Sequence, residues 1–129
     1  MSRETNITKA DGWFVGEDKV FEFTIDDNSN ADPALSTPVD ITGYTFQFVV
    51  RPEEKSSTVN LSKASGSGIT ITNASGGVLE VAIDAADTSD GTDPVFSPGT
   101  LYYTLKRTNA GEFQVLAYGT AELQLGATR

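Results

Sequence analysis

The chain has 129 residues, no cysteine and no histidine, and its 18 acidic against 9 basic side chains give a formal net charge of −9. The missing cysteines exclude disulfides and thiolate chemistry, and the missing histidines remove the commonest general base and metal ligand. A surface this acidic, without a stripe of lysine and arginine, argues against nucleic acid as a partner.

The first twelve residues are mostly polar, with Ile7 as their one apolar foothold, and we interpret 1–12 as an N-terminal arm. Such an arm either frays, as termini commonly do, or becomes ordered against a neighbouring subunit. It contains no apolar run of the kind that a secretion signal needs, and no stretch of the chain approaches the roughly twenty apolar residues of a membrane helix. We therefore expect synthesis and folding in the cytoplasm, without a membrane partner.

Alternation of apolar and polar residues, which is typical of strands with one buried face, begins after this arm. A short strand at 13–15 precedes a turn at Gly16, and we expect Trp13 to anchor the core or its rim. The next strand starts at Lys19, and its predicted buried positions are Phe21, Phe23 and Ile25.

A loop at 26–38 and a bend at 39–43 lead into the most apolar strand of the chain, whose predicted buried face is Tyr44, Phe46, Phe48 and Val50. Val49 breaks the alternation, which indicates that both faces of this strand are covered in the final assembly. Pro52 ends the strand because proline cannot donate a hydrogen bond to a neighbouring strand.

The middle of the chain predicts three shorter elements. A strand at 58–62 is expected at a sheet edge, where it is available to pair with a strand of another protein. A hairpin of 69–71 and 79–83 is predicted around Gly76-Gly77, and a single helical turn at 84–87.

The clearest pattern lies in the last quarter of the chain, at 99–125. Leu101, Tyr103 and Leu105 are predicted to face inward, and after a turn at 108–111 so are the odd positions from Phe113 to Leu125. The even positions, Leu116 and Tyr118 among them, are placed on the opposite face. Seven or eight such strands without a convincing helix predict an all-β fold, a single antiparallel sandwich at 13–125 or a related barrel, with a short tail at 126–129.

Candidate chemistry is sparse. Two acidic loops, 26–32 and 87–93, carry the oxygen ligands that calcium prefers, but neither has the spacing of an EF-hand, and solvated acidic loops are the favoured interpretation. The serines have no histidine base. Sugar binding by Trp13 or by the tyrosine pair 102–103 is an alternative, and of that pair only Tyr102 is predicted to face outward. We expect no enzyme activity and assign no catalytic, cofactor-binding or metal-binding residue.

Several short motifs occur in a characteristic order: Trp13-x-x-Gly16-x-Asp18, Val39-Asp-Ile-Thr-Gly-Tyr44 leading to Arg51, Gly77-Val-Leu-Glu-Val-Ala-Ile83, Thr88, Gly99-x-x-x-Tyr103 and Gly119-Thr-Ala-x-Leu123. Their order and spacing resemble the immunoglobulin-like β-sandwich at the N-terminus of baseplate upper proteins and related tail components of tailed bacteriophages. The resemblance covers the chain from about residue 12 to residue 125.

The resemblance implies a non-enzymatic virion protein that binds other virion structural proteins, as a homo-oligomer within the particle. Fibre-bearing relatives continue into a fibrous extension, so we expect a connector or adaptor of the tail, neck or baseplate. A capsid decoration protein and a carbohydrate-binding or adhesion module are the alternatives. The expected interface residues are Arg3, Ile7, Trp13, Phe14, Val59 and Leu61.

Overall fold

The protein is described here from a computed structural model, which covers residues 3–27, 35–91, 93–109 and 114–125. Its strands are β1 (Arg3–Glu4), β2 (Lys19–Thr24), β3 (Phe46–Arg51), β4 (Leu61–Ser65), β5 (Gly68–Asn73), β6 (Val78–Ile83), β7 (Gly99–Arg107) and β8 (Gln114–Leu123). Its helical elements are a 3₁₀ turn at Lys9–Asp11 and the helix α1 (Ala85–Thr88). The all-β prediction is confirmed, and so is the single helical turn after β6. The predicted tail at 126–129 and Phe113 lie outside the described residues.

The eight strands form one sheet in the order β1-β8-β7-β3-β4-β5-β6-β2. The pairs β1–β8 and β4–β5 are parallel, and the other five pairs are antiparallel. β4 and β5 meet at two residue pairs only, Ala64 with Gly68 and Ser65 with Ile69. The chain therefore crosses at this point from the half of the sheet that contains β3 to the half that contains β6.

The sheet curls until its distant strands pack face to face. The Phe23 ring on β2 lies 6.0 Å from the ring of Phe48 on β3 and 5.8 Å from the ring of Tyr103 on β7. Aromatic rings at these separations contribute beyond the area that they bury. The core thus lies inside one curled sheet, and the immunoglobulin-like division into two sheets stays a prediction.

Alternation predicted the core well. The residues expected to face inward on β2, β3, β6 and β7 are buried: Phe21, Phe23, Phe46, Phe48, Val50, Leu79, Val81, Ile83, Leu101, Tyr103 and Leu105. Trp13 is completely buried, with its ring edge-on to Phe21 at 5.6 Å, which confirms it as a core anchor. Each large apolar side chain buried in this way contributes about 1.5–3 kcal/mol relative to an exposed one.

Several local predictions are wrong. Leu125, predicted to face inward, is 59% exposed, and Val115, predicted likewise, pairs with Lys106 and is only half-buried. Leu105 pairs with Ala117 but Lys106 pairs with Val115, so Leu116 is an extra residue in a β-bulge. A bulge re-aims the side chains beside it, and Leu116 is buried next to Ala117 instead of facing outward. The strand predicted at 58–62 and at a sheet edge is observed as β4, Leu61–Ser65. It lies between β3 and β5 rather than at an edge, because its residues pair with β3.

The N-terminal segment belongs to the sheet of its own chain. The Thr5 amide donates to the Tyr118 carbonyl and the Ile7 amide to the Thr120 carbonyl, both at 2.8 Å. Further along, Phe14 forms a parallel bridge with Gln124. Residues 3–7 therefore cover the edge of β8, and the division into an arm at 1–12 and a domain at 13–125 stays a prediction.

Candidate functional site: a groove on the outer face of the sheet

The face of β3, β7 and β8 that points away from the core encloses a groove of about 370 Å³. The residues that define it are Glu4, Val49, Arg51, Tyr102, Thr104 and Tyr118. They come from four strands, β1, β3, β7 and β8, so the groove exists only in the folded sheet.

Strand register arranges these side chains in two rows across the sheet. In one row Arg51 pairs with Tyr102, which pairs in turn with Thr120. Directly paired residues point to the same face of a sheet, and diagonal neighbours remain within reach of aromatic side chains.

The second row is Val49, Thr104, Tyr118 and Glu4, which are paired in that order. Because Tyr102 pairs with Thr120 and Thr104 with Tyr118, the two tyrosines are diagonal neighbours on one face. The bulge at Leu116 increases the local bend and twist of β8, which contributes to the hollow shape of this face.

The side chains of the groove differ in how tightly they are held. Val49 is only 5% exposed, so β3 is covered on both faces within this chain, before any partner is added. Arg51 is half-buried, and its Nη1 donates to the Ser56 carbonyl at 3.1 Å, which fastens the loop after β3. Tyr118 is 41% exposed and offers free aromatic surface.

The phenol of Tyr103 lies where the groove meets the N-terminal segment, and its hydroxyl donates to the Thr5 carbonyl. Burial, with a smaller contribution from the Glu4 carboxylate, raises the pKa of this phenol well above its ordinary value. Tyr103 is therefore a neutral hydrogen-bond donor. The groove as a whole combines apolar surface with hydroxyl, carboxylate and guanidinium groups, an arrangement suited to non-covalent binding.

The residues predicted for a subunit interface are divided between the core and the surface. Three are buried inside this chain: Ile7, Trp13 and Leu61. These three side chains contribute to the core of the isolated chain, and their subunit contact stays a prediction. Phe14 is half-buried, Val59 is 45% exposed, and Arg3 pairs through its main chain with Ala117. For Phe14, Val59 and Arg3 a subunit contact stays a prediction.

The acidic loop at 87–93 uses its carboxylates to organise itself. Asp87 forms a salt bridge of 2.7 Å with Lys63, and Asp90 accepts a hydrogen bond of 2.8 Å from the Asp93 amide. In the part of the chain that the structure describes, no three acidic side chains gather in a way that could hold a metal ion. Residues 28–32 of the other acidic loop lie outside this part.

The sequence pattern placed Tyr102 and Tyr118 on outward faces but counted Tyr102 as the free tyrosine. The register of the terminal hairpin would have predicted that the two tyrosines are neighbours, since pairing across its turn sets Tyr118 beside Thr104. The contribution of Arg51 and Glu4 had no comparable signal, because neither β3 nor β1 is adjacent to this hairpin in sequence.

Several residues of the motif pattern meet at joints between distant segments. The Gly16 amide donates to the Thr88 hydroxyl at 2.9 Å, and the Asp18 carboxylate accepts from the Ala85 amide at 2.8 Å. At a second joint, the Tyr103 hydroxyl reaches the N-terminal segment at Thr5. The side chains of Thr88, Asp18 and Tyr103 therefore connect segments that are distant in sequence by bonding to their main chain.

Comparison with models of known protein families and with curated proteins gives no match to this chain. No helix within the described ranges is long and apolar enough to cross a membrane.

Proposed function

We propose that this chain is a non-enzymatic structural protein of a tailed-bacteriophage particle. Its role is that of a connector or adaptor of the tail, neck or baseplate, and it acts through contacts with other virion proteins. The observation that carries the proposal is that two motif residues distant in sequence, Gly16 and Thr88, are joined by a hydrogen bond, with the motif residue Asp18 bonded beside them to Ala85. Residues so far apart in sequence support a resemblance to a particular fold rather than to strand patterns in general.

The groove supports a binding role. Tyrosine and arginine are enriched at protein interfaces, where they act as anchors because they combine large contact area with hydrogen bonding. Tyr102, Tyr118 and Arg51 supply such groups on one face. The carboxylates of Glu4 and Glu54 at the same site favour a partner surface with basic side chains.

Quantitative mass spectrometry of purified particles of the source phage tests this proposal. A few copies per particle relative to the major capsid protein is the result expected for a tail, neck or baseplate component. A copy number close to that of the capsid protein would contradict the connector role and favour a capsid decoration protein instead. Absence from the particle would overturn the structural role.

Variants then test whether the groove makes the contact. Tyr118→Ala is expected to reduce incorporation into particles, whereas Thr70→Ala, an exposed position on β5, is the matched control. Equal incorporation of both variants would remove the groove from the contact while leaving the particle assignment intact.

The diagonal pair of Tyr102 and Tyr118 favours a second candidate, a carbohydrate-binding module. Such modules stack sugar rings on aromatic side chains, and this face offers the exposed Tyr118 beside the half-buried Tyr102. Calorimetric titration with soluble fragments of bacterial cell-wall polysaccharide should give binding that Tyr118→Ala abolishes. Absence of heat with any fragment would eliminate this candidate.

A further inference from the structure

The edge of β8 contains a slot that fits residues 3–7 closely. Beyond the two main-chain hydrogen bonds already described, the Glu122 amide donates to the Ile7 carbonyl at 2.9 Å and the Thr120 amide to the Asn6 side chain at 3.0 Å. Ile7 is 5% exposed, so one apolar side chain and a short ladder of hydrogen bonds hold this segment in place.

The main chain of the N-terminal segment lies unusually close to the main chain of β8 in this slot. A Cβ atom added at Gly119 would lie 2.5 Å from the Thr5 carbonyl oxygen and 2.7 Å from the Asn6 side-chain oxygen. On the other side, the Tyr103 hydroxyl donates to the same Thr5 carbonyl. Both Gly119 and Tyr103 thus recognise the backbone at Thr5 rather than a particular side chain.

The linker between this segment and the rest of the domain is slack. Ile7 pairs with Ala121 and Phe14 with Gln124, so the N-terminal chain uses seven residues where β8 uses three. At about 3.3 Å per extended residue, roughly 23 Å of chain covers a span of roughly 10 Å. The excess is taken up by the exposed 3₁₀ turn and by Gly12 in the left-handed conformation.

We propose that residues 3–7 of one copy occupy the β8 slot of a neighbouring copy, so that the slot is an interaction surface for a second copy of this chain. Exchange preserves the contacts of the slot, because every hydrogen bond of the slot forms identically with the segment of another molecule. Its cost is confined to the linker, where extension breaks bonds of the turn such as the one from the Thr8 amide to the Asp11 carboxylate at 2.6 Å. The slack linker supplies the reach, and the high local concentration of subunits in an assembly favours pairing between molecules. The biological setting of this exchange rests on the proposed role in a particle, but its chemistry does not.

The absence of native cysteine allows a direct test by disulfide trapping. Glu4 and Tyr118 are paired across β1 and β8, and neighbouring strands bring paired Cα atoms within the range that a disulfide spans. The single variants Glu4→Cys and Tyr118→Cys are mixed at high concentration and oxidised. The expected product is a covalent heterodimer, in which peptide mass spectrometry finds residue 4 linked to residue 118.

Two controls separate exchange from chance collision and from misfolding. Glu4→Cys mixed with Thr70→Cys should give far less heterodimer, because β5 has no slot, and equal yields would overturn the proposal. The double variant Glu4→Cys/Tyr118→Cys should form the link within or between chains. A disulfide found only within single chains would also overturn exchange. If the double variant formed no disulfide at all, the predicted pairing of residues 4 and 118 would itself be wrong. These experiments use purified protein, so a negative result refutes exchange without refuting the proposed role in the particle. That role is tested separately by the copy number in particles.

Discussion

The inner and outer faces of β3 and β7 are built from alternate residues of the same strands, yet they differ in what holds their side chains. On the inner face, Phe48 and Tyr103 are at most 2% exposed, and their rings lie 5.5 Å apart. On the outer face, Arg51 and Tyr102 are half-buried and border an open groove. The inner face receives side chains from strands at the far end of the sheet, whereas nothing in the described residues closes the groove.

The difference indicates that the inner side of these strands carries stability, whereas the surface proposed for binding lies on their outer side. A substitution on the inner face removes contacts with several distant segments together. A substitution on the outer face removes a group that interacts mainly with its neighbours or with a partner. Substitutions ordered from the centre of the core to the exposed rim should therefore have steadily smaller effects on folding.

Phe48→Ala should have the largest effect. Phe48 is fully buried, and its ring contacts those of Phe21, Phe23 and Tyr103, which come from two other strands. Loss of a buried phenylalanine costs about 3–5 kcal/mol, so the free energy of unfolding in urea should fall by that amount. A loss below about 1 kcal/mol would contradict the central position of this ring, because ordinary surface substitutions have effects of that size or less.

Gly119→Ala should come next, at about 2–3 kcal/mol, because its new methyl group would meet the Thr5 carbonyl and force the N-terminal segment away. The matched control is Gly99→Ala, in the paired strand, which also has a positive φ but open space around its Cα. The control isolates the collision from the cost of the backbone conformation. Hydrogen exchange of the Thr5 and Ile7 amides should be faster in Gly119→Ala alone, and equal exchange in both variants would refute the close fit.

Tyr103→Phe should cost about 1 kcal/mol at neutral pH, the usual net value of a lost hydrogen bond, here the one to the Thr5 carbonyl. It should also change the response to alkali. The pKa of Tyr103 is raised by burial, so above the ordinary tyrosine pKa near 10 the unfolded chain loses a proton that the folded chain keeps. The stability that Tyr103 contributes is therefore complete below pH 10 and falls by about 1.4 kcal/mol per pH unit above it.

Urea unfolding of both proteins between about pH 8 and pH 11 checks this sign, since tyrosine titrates near pH 10. The native chain should lose stability more steeply than Tyr103→Phe above pH 10, so that the two curves converge. Parallel curves over the whole range would mean that Tyr103 titrates normally in the folded protein.

Short-range patterns were sufficient to predict the strands and most of the core. Phe21, Phe46 and Leu101 lie in runs whose alternation is visible in a few residues, and one-sided burial is a property of each strand by itself. The bulge at Leu116 was missed because the extra residue leaves the alternation of its neighbours plausible in either register. Only pairing with β7 decides which register forms.

The position of the N-terminal segment and the groove required long-range information. A polar stretch with a single Ile7 is typical of a frayed arm, and its order depends on Gly119 and Tyr103, about a hundred residues away. The groove similarly joins Glu4, Arg51 and Tyr118 from three parts of the chain. Residue patterns identified the candidates on each strand, but the strand order that assembles them is a property of the folded sheet.

Tyr118→Ala should have the smallest effect on folding, under about 0.5 kcal/mol, because a side chain that is 41% exposed gives up little buried area. The variant to compare with it is Leu105→Ala, on the inner face of the same hairpin. Truncation of this fully buried leucine is expected to lower the free energy of unfolding by about 2–5 kcal/mol. Thermal melts of the two variants measure the difference in stability. Binding to another virion protein should be affected in the opposite order, more by Tyr118→Ala than by Leu105→Ala. Leu105→Ala should retain the groove as long as it is folded, whereas Tyr118→Ala should fold normally and bind poorly. If Tyr118→Ala unfolded as readily as Leu105→Ala, the groove would be a second core rather than a binding surface, since only side chains that hold the fold together cost so much when truncated.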